Sequence, residues 1–271
     1  TFNGVMLPVY DRERTVCDCF KYRTKLDNEI FNKAVNAYVA DEKKNLANLS
    51  KYAKEMGVPI KKLICASNSN NVLTDFLKSG TYNKNRDFYC TASPSMDILI
   101  SSNLERLLFI LSGYDAEKTA EYMRELSVDG KYSVDSDLYK KISDLFDAGY
   151  CDDNATKATI NEIFKKYDYL CDTHTAVAVN VYEEYTKRTG DDTPTVIAST
   201  ANPYKFSASV LSAITDDIKS EDEFSMVEEL FEKSKEPVPP QLATLKGKAP
   251  RFTRVSDKED MAQVVFDMLG I

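Results

Sequence analysis

Apolar residues recur along most of this chain at the three- and four-residue spacing of amphipathic helices, and a few short continuous apolar runs lie between them. Most of the periodic stretches follow Ser, Asp or Asn and stop at Gly, which are residues that commonly begin and end helices. The pattern predicts helices over about 27–56 with a break near 41, from the polar turn 67–71 to 80, and over 102–113, 116–126, 137–148, 155–167, 172–190, 202–214 and 261–270.

Three of the continuous apolar runs have the length of buried strands, at residues 60–66, 88–91 and 196–198. Residues 1–25 are mixed and contain at most one further short strand. The order strand, helix, strand, several helices, strand, helix is typical of an α/β domain with a helical insertion, at about 114–170. We therefore predict an α/β fold, with an open and mostly parallel sheet flanked by helices.

The end of the chain has a different composition. Residues 236–250 are rich in proline and predict an extended linker. Beyond the linker, Ser256 and Glu259 have the spacing of a capping box, as do Ser102 and Glu105 further upstream. The linker is therefore expected to lead into one final helix.

Composition and charge narrow the classes of function. The 271 residues are 43% hydrophobic and 29% charged, as in ordinary globular proteins. The net charge of −8 argues against a general surface for nucleic acid or anionic membranes. No apolar run reaches about 18 residues and the first residues lack a secretory pattern, so we expect a cytoplasmic protein. The six cysteines are scattered, and neither a disulfide framework nor a zinc site is predicted.

The most informative stretch for chemistry is Ser199 to Asn202, directly after the third predicted strand. Ligands of open α/β sheets collect outside the carboxyl ends of strands, near the helix N-termini that follow. Asn202 followed by Pro203 predicts such a helix N-terminus. Thr200 is therefore the first candidate site residue, although hydroxyls that merely end a strand would give the same pattern.

Four segments carry a specific combination of residues, in the same order as in one enzyme family. They are 66–73 (ASNSNNVL), 93–98 with 101–108 (SPSMDI and SSNLERLL), 172–178 (DTHTAVA) and 199–206 (STANPYKF). Together they resemble the long fungal and bacterial form of threonine synthase, a fold-type-II enzyme that uses pyridoxal 5'-phosphate (PLP) to convert O-phosphohomoserine to threonine. The resemblance covers about residues 52–250, the C-terminal half of the family's chain. It implies three regions: an unmatched 1–45, an α/β domain 46–235 and the segment 236–271.

The resemblance implies PLP as the cofactor and assigns Thr200 to the hydrogen bond with its pyridine nitrogen. A neutral hydroxyl at this place favours an unprotonated ring nitrogen, which is a weaker electron sink than a pyridinium. Asn68, Ser93 and Asp97 follow predicted strands and could line the same cleft, but caps and turns use the same residue types. For His174, the only histidine, a structural role is favoured over a catalytic one.

Two elements of the family's site have no counterpart. The family holds the cofactor phosphate in a glycine-rich loop at a helix N-terminus, and the corresponding residues 42–46 contain no glycine. Lys43 and Lys44 could attract a phosphate there without positioning it. The lysine that binds the cofactor covalently is also missing, and the surroundings of Lys21, the nearest candidate, do not match.

We therefore predict the C-terminal part of a threonine synthase-like PLP enzyme, a carbon–oxygen lyase acting on phosphates, with a small-molecule substrate. Because the chain starts with Thr1 and lacks both elements, we expect it to be a fragment of a longer product that is inactive alone. The alternative is a non-catalytic relative that kept the fold, lost cofactor binding and acts as an interaction protein. A third possibility, a binding module that uses the acidic insertion 114–167, rests on charge alone.

Overall fold

The computed structural model describes residues 11–22, 25–39, 60–199 and 201–271. These residues belong to two compact units, Thr1–Leu63 and Ile64–Ile271. The predicted region limit near residue 45 lies outside the described residues, and both it and the limit near 235 stay predictions.

The described part of the amino-terminal unit contains two helices, α1 (Arg12–Lys21) and α2 (Asn28–Val39). The Asp11 carboxylate accepts a hydrogen bond from the backbone N–H of Arg14 at 2.8 Å and so caps α1. Phe20 and Phe31 pack edge to face, with ring centroids 5.1 Å apart. The helix predicted after residue 27 is confirmed for α2. The prediction missed α1, because its few apolar positions span little more than one turn, which is too short to establish a period.

The unit Ile64–Ile271 follows the predicted order of helices, with ends that differ by a few residues. Its helices are α3 (Val72–Ser79), α4 (Ser102–Leu111), α5 (Ala116–Val128), α6 (Ser136–Leu145), α7 (Asp153–Tyr167), α8 (Thr173–Thr189), α9 (Ser207–Ile214), α10 (Glu223–Ser234), α11 (Pro240–Ala243) and α12 (Met261–Leu269). Short 3₁₀ turns cover Pro94–Met96, Pro203–Phe206 and Lys258–Asp260. The prediction missed α10, and α11 adds one helical turn to the segment predicted as an extended linker.

Four short strands are present in the described residues: β1 (Leu63–Ser67), β2 (Thr81–Asn83), β3 (Lys131–Ser133) and β4 (Phe146–Tyr150). β1 pairs with β4, and β2 pairs with β3 in antiparallel register, with Tyr82 opposite Tyr132. The α/β class with a parallel sheet is confirmed, as is the first predicted strand. β4 falls partly within a predicted helix, because its Asp147 and Gly149 do not give the apolar run of a buried strand.

Two predicted strands are wrong. Residues 88–91 and 196–198 have no regular secondary structure, and Phe88 and Val196 are 53% and 80% exposed. A strand is stabilised by hydrogen bonds to a neighbouring strand and by burial of its apolar face. Within the described ranges neither run belongs to a sheet, so the apolar residues alone do not make a strand.

Both predicted capping boxes are also wrong. Ser101 is the N-cap of α4, and Ser102 lies inside its first turn. The 3₁₀ turn Lys258–Asp260 runs directly into α12, so this helix begins after Glu259. Aspartate carboxylates cap other helices by accepting backbone N–H groups. They belong to Asp115 (α5), Asp135 (α6), Asp152 (α7), Asp172 (α8) and Asp222 (α10).

The buried residues of the unit Ile64–Ile271 form three hydrophobic clusters. One joins α3 to α6 with β2 and β3, and in it Tyr82 stacks on Tyr132 with ring centroids 5.4 Å apart. A second joins α7 to α10. In the third, Val177 and Val181 of α8 are buried against Ile64 and Ala66 of β1. This third cluster holds the beginning of α8 beside the end of β1, where the predicted site residues begin.

The last helix has a different environment. None of its residues is buried, and Met268 and Leu269 are 62% and 66% exposed. No helix of the described part of the chain is both long and apolar enough to cross a membrane.

Candidate functional site

A polar cluster lies where β1 ends. The chain turns at Asn68, whose side-chain oxygen accepts the backbone N–H of Asn70 at 2.9 Å. This turn directs both asparagine side chains toward the segment 89–97. Asn68 and Asn70 are 1% and 3% exposed.

The carboxylate of Asp97 is the centre of this cluster. Its Oδ1 accepts hydrogen bonds from Asn68 Nδ2 at 2.7 Å, Asn70 Nδ2 at 2.9 Å and Thr91 Oγ1 at 2.7 Å, and its Oδ2 accepts the Thr91 backbone N–H at 2.9 Å. Ser93 completes the group, with its Oγ 3.1 Å from Asn68 Nδ2. We call these five residues, Asn68, Asn70, Thr91, Ser93 and Asp97, the Asp97 cluster.

Asn70 also explains why residues 88–91 need no sheet. Its Nδ2 donates to the Tyr89 carbonyl at 2.8 Å, and its Oδ1 accepts the Tyr89 N–H at 2.9 Å. A single side chain thus satisfies the two backbone groups that a neighbouring strand would pair with. Asp153, at the start of α7, similarly accepts the Ala92 N–H at 3.0 Å.

A second group surrounds Asp172, the N-cap of α8. The Asp172 carboxylate is 1% exposed and accepts the backbone N–H groups of His174 and Thr175 and the Thr175 hydroxyl. Burial by itself would raise the pKa of Asp172, but the hydrogen bonds from His174 and Thr175 outweigh it and hold that pKa below its ordinary value. Thr175 Oγ1 also lies within hydrogen-bond distance of Ser199 Oγ, at 3.0 Å. We call Asp172, Thr173, His174, Thr175 and Ser199 the Asp172 cluster.

His174 joins the two clusters. Its Nε2 accepts the backbone N–H of Ser95 at 3.1 Å, in the turn between Ser93 and Asp97. Its Nδ1 lies 3.2 Å from Asp172 Oδ1. The structure therefore places polar residues from the end of β1, the segment 89–97, the start of α8 and Ser199 in one connected network.

The predicted site residues have different positions in this network. Asn68, Ser93 and Asp97 come together, but Asn68 and Ser93 are each 1% exposed and bonded to protein groups, which suits the support of a cleft wall. Asn202 caps the 3₁₀ turn Pro203–Phe206 by accepting the Tyr204 N–H at 3.0 Å, which confirms the predicted N-cap. Thr200 lies outside the described residues, and its role and that of the other candidates stay predictions.

Sequence reasoning did not single out Asn70 and Thr91, which contribute three of the four hydrogen bonds to Asp97, while Asn68 contributes the fourth. The signal was present for Asn70, because it is part of the same asparagine-rich turn as Asn68. Nothing in the sequence pattern marks Thr91, since it becomes a partner of Asp97 only through the path of the segment 89–97.

A cleft of about 580 Å³ lies elsewhere in the unit Ile64–Ile271. It is open to solvent between α7 and the end of α9, where Lys157, Asn161, Lys165 and Ser212 line it. No residue of the two polar clusters lines this cleft.

Sequence comparison connects the chain with one enzyme family. Residues 175–265 match the family described as threonine synthase, C-terminal. The human protein Threonine synthase-like 1 is 40% identical over 164 residues, which are 60% of this chain and 22% of the human one. Threonine synthase of Saccharomyces cerevisiae is 38% identical over 178 residues, 60% of this chain and 35% of the yeast one.

Solved structures agree. The crystal structure of yeast threonine synthase superimposes with a TM-score of 0.68 and 31% identity, over 82% of this chain and 45% of the yeast chain. The PLP-bound threonine synthase of Brucella melitensis gives a TM-score of 0.56 and 33% identity, over 69% of this chain and 44% of that one. The chain is a relative of the threonine synthases and matches their C-terminal part. It spans less than half the length of these relatives.

The residues of this threonine synthase relative that the structure describes do not by themselves fit PLP. The cofactor needs backbone donors around its phosphate, a lysine at its aldehyde carbon and a partner for its ring nitrogen. The nine glycines are widely spaced, the closest pair being Gly113 and Gly130, so the sequence contains no glycine-rich loop. Residues 42–46 with Lys43 and Lys44 lie outside the described residues, as does Thr200.

No lysine stands in for the missing covalent partner within the described ranges. The hydrogen bonds of the two clusters come from amides, hydroxyls and one imidazole. Lys21 is exposed in the amino-terminal unit, and its Nζ lies over the Tyr22 ring, 5.7 Å from the centroid. The two polar clusters thus contain neither the lysine nor the glycine-rich loop that would anchor the cofactor.

Proposed function

We propose that this chain carries the C-terminal part of a threonine synthase-like PLP site and does not hold the cofactor on its own. One observation carries the proposal: residues from four separate segments, all of which resemble threonine synthase, meet in a single hydrogen-bonded network. Random surface turns would not bring Asn68, Ser93 and Asp97 to one carboxylate and connect them through His174 to Ser199.

The network also supports the role proposed for Thr200. Ser199 is held by Thr175 at 3.0 Å, and Asn202 is held by its cap bond to Tyr204 at 3.0 Å. Ser199, before Thr200 in the sequence, and Asn202, after it, are therefore both hydrogen-bonded. In a complete site, the Thr200 hydroxyl would form a hydrogen bond with the ring nitrogen of PLP. The PLP ring, when bound, would supply the electron sink for reaction at the amino-acid carbons.

The resemblance to threonine synthase supports a proposal for the substrate. We assign to the complete enzyme the conversion of O-phosphohomoserine and water to threonine and phosphate, and no part of that activity to the isolated chain. Asn68, Asn70 and Asp97 would keep the segment 89–97 in place beside the substrate. Ser95, Ser199 and Asn202 are exposed.

A second candidate function is a non-catalytic relative that uses the same fold as an interaction protein. The complete absence of a glycine-rich loop from the sequence favours it, because a backbone cradle for phosphate depends on glycine. The two candidates differ in one property. Only the first predicts that residues 64–271 support PLP binding and threonine formation when the rest of a threonine synthase is supplied.

A chimera tests this difference. Residues 64–271 would replace the matching part of yeast threonine synthase, which would then provide the rest of the fold, and PLP absorbance and threonine formation would be measured. We expect the chimera to bind PLP and to form threonine. A chimera with native circular dichroism and no PLP absorbance would exclude the proposed site and favour the interaction protein.

Thr200 is tested in the same chimera. Thr200→Val keeps the shape and removes the hydroxyl, so turnover should fall by roughly 5- to 150-fold, the effect of about 1–3 kcal/mol for a buried partner left unpaired. Thr200→Ser should retain most activity. Thr195→Val, at an exposed position of the same irregular segment, serves as the matched control and should leave turnover unchanged.

A further inference from the structure

His174 occupies a closed environment at the start of α8. The residue is 8% exposed, and its ring centroid lies 4.7 Å from that of Phe206. Both ring nitrogens have polar neighbours: Nδ1 faces Asp172 Oδ1 at 3.2 Å and Thr173 Oγ1 at 3.3 Å, and Nε2 faces the Ser95 N–H at 3.1 Å. Neither nitrogen therefore depends on solvent for a partner.

These neighbours determine which nitrogen carries the proton. The backbone amide of Ser95 can only donate, so Nε2 must present its lone pair and cannot carry hydrogen. In a neutral imidazole the proton is then on Nδ1, where it points at the carboxylate of Asp172. The geometry accommodates only this Nδ1–H tautomer without placing one donor against another.

We propose that His174, in its neutral Nδ1–H form, is a positioning residue that fixes the turn 94–96 against α8 and thereby holds Asp97 in place. The hydrogen bond from Ser95 is the direct polar link between the two clusters in the described residues. Ser95 stands two residues before Asp97, and within the turn the Asp97 N–H donates to the Pro94 carbonyl at 3.1 Å. A shift of Ser95 is therefore transmitted to the residue on which four hydrogen bonds converge.

The first test uses the fact that the chain contains a single histidine, so that its imidazole signals need no assignment. Long-range proton–nitrogen correlation spectra of the ¹⁵N-labelled chain at pH 7.5 distinguish a protonated from an unprotonated ring nitrogen. We expect the unprotonated signal at Nε2 and the protonated one at Nδ1. A protonated Nε2 at this pH would overturn the proposal.

The second test compares two substitutions by hydrogen exchange of the Ser95 amide. His174→Gln places a carbonyl oxygen near the position of Nε2 and retains an acceptor, whereas His174→Phe retains an aromatic ring without one. We expect exchange of the Ser95 amide to be roughly 2- to 10-fold faster in the Phe variant than in wild type, and close to wild type in the Gln variant. The Gly80 amide, which donates to the Phe76 carbonyl at the end of α3, is the internal reference.

Equal Ser95 exchange in the two variants would overturn the proposal, because a ring that only fills space would be replaced better by Phe than by Gln. If His174→Phe does not fold, the nitrogen spectra of the wild-type chain decide. Cofactor and substrate take no part in these measurements, so their outcome is independent of the proposed function.

Discussion

Four hydrogen bonds converge on the carboxylate of Asp97, and they come from residues far apart in the chain. Disturbing this group should lower the free energy of unfolding, because each buried donor that loses its acceptor keeps its full desolvation penalty. The Asp97 cluster therefore gives the segment 89–97 a unique path without regular secondary structure.

Asp97→Asn tests this account of the cluster. An amide in place of the carboxylate puts its NH₂ either against the Thr91 N–H or against three other donors, so we expect the free energy of unfolding to fall by about 1–3 kcal/mol in urea titrations. Asp87→Asn makes the same chemical change at an exposed position and should alter stability by less than about 0.5 kcal/mol. Equal effects of the two substitutions would contradict the role of the cluster.

The sequence allowed part of this site to be predicted. The sequence predicted Asn68 and Ser93 at one cleft because each follows a predicted strand, and ligands collect at strand ends. Only the strand before Asn68 is present, so the prediction for Ser93 had a wrong reason. The partners Asn70 and Thr91 could not be ranked above other polar residues, because the sequence of a loop does not show which distant residue a polar side chain contacts. The single path of the segment 89–97 determines those pairs.

Among the helices, α8 depends most clearly on its N-cap. The pKa of Asp172 is lower in the folded chain than its unfolded value of about 3.9. Ionised Asp172 therefore contributes its full stabilisation above the unfolded pKa, and this contribution is lost as the pH falls through the folded pKa.

We expect Asp172→Asn to be less stable than wild type at pH 7, with a gap that narrows as the pH falls toward 3. Urea unfolding at a series of pH values measures the two free-energy curves. Parallel curves over this range would show that the Asp172 carboxylate gains nothing from its position at the cap of α8.

Helices α10 and α12 differ in their use of apolar residues. Leu230 of α10 is fully buried, whereas Leu269 of α12 is 66% exposed. Leu230→Ala should reduce the free energy of unfolding by about 2–5 kcal/mol, and Leu269→Ala, the same change on an exposed face, by less than about 0.5 kcal/mol. Thermal or urea unfolding of both variants checks the comparison, and a large effect at Leu269 would place α12 in a core that the structure does not show.

These two helices also show what periodicity can and cannot predict. Both have apolar residues at helical spacing. The sequence analysis nevertheless predicted only α12, which is exposed, and missed α10, which packs in a core. The apolar runs 88–91 and 196–198 predicted strands for the same reason, because a pattern records which residues could be buried and not whether a partner covers them. Strands are most affected, since their hydrogen bonds all lie outside the segment itself.

For the molecule as a whole, the comparisons favour a threonine synthase fold, whereas the sequence lacks the loop that would hold the phosphate of the cofactor. The match to yeast threonine synthase covers 82% of this chain, and the segments that resemble the family form one network. The glycine-rich loop of that family is nevertheless absent from the sequence, and attraction by scattered lysines does not replace converging backbone amides. The match and the missing loop agree if the chain is, as proposed, a C-terminal part whose cofactor site other residues complete.

The most direct test of this account is the reaction of the purified chain with PLP. One equivalent of PLP is added, the mixture is reduced with borohydride, and the labelled lysines are located by peptide mapping. Surface lysines react weakly and reversibly with the aldehyde, so the account predicts low labelling spread over several lysines. Near-complete labelling of a single lysine, above all Lys21, Lys43 or Lys44, would contradict it and show that this chain builds a cofactor site of its own.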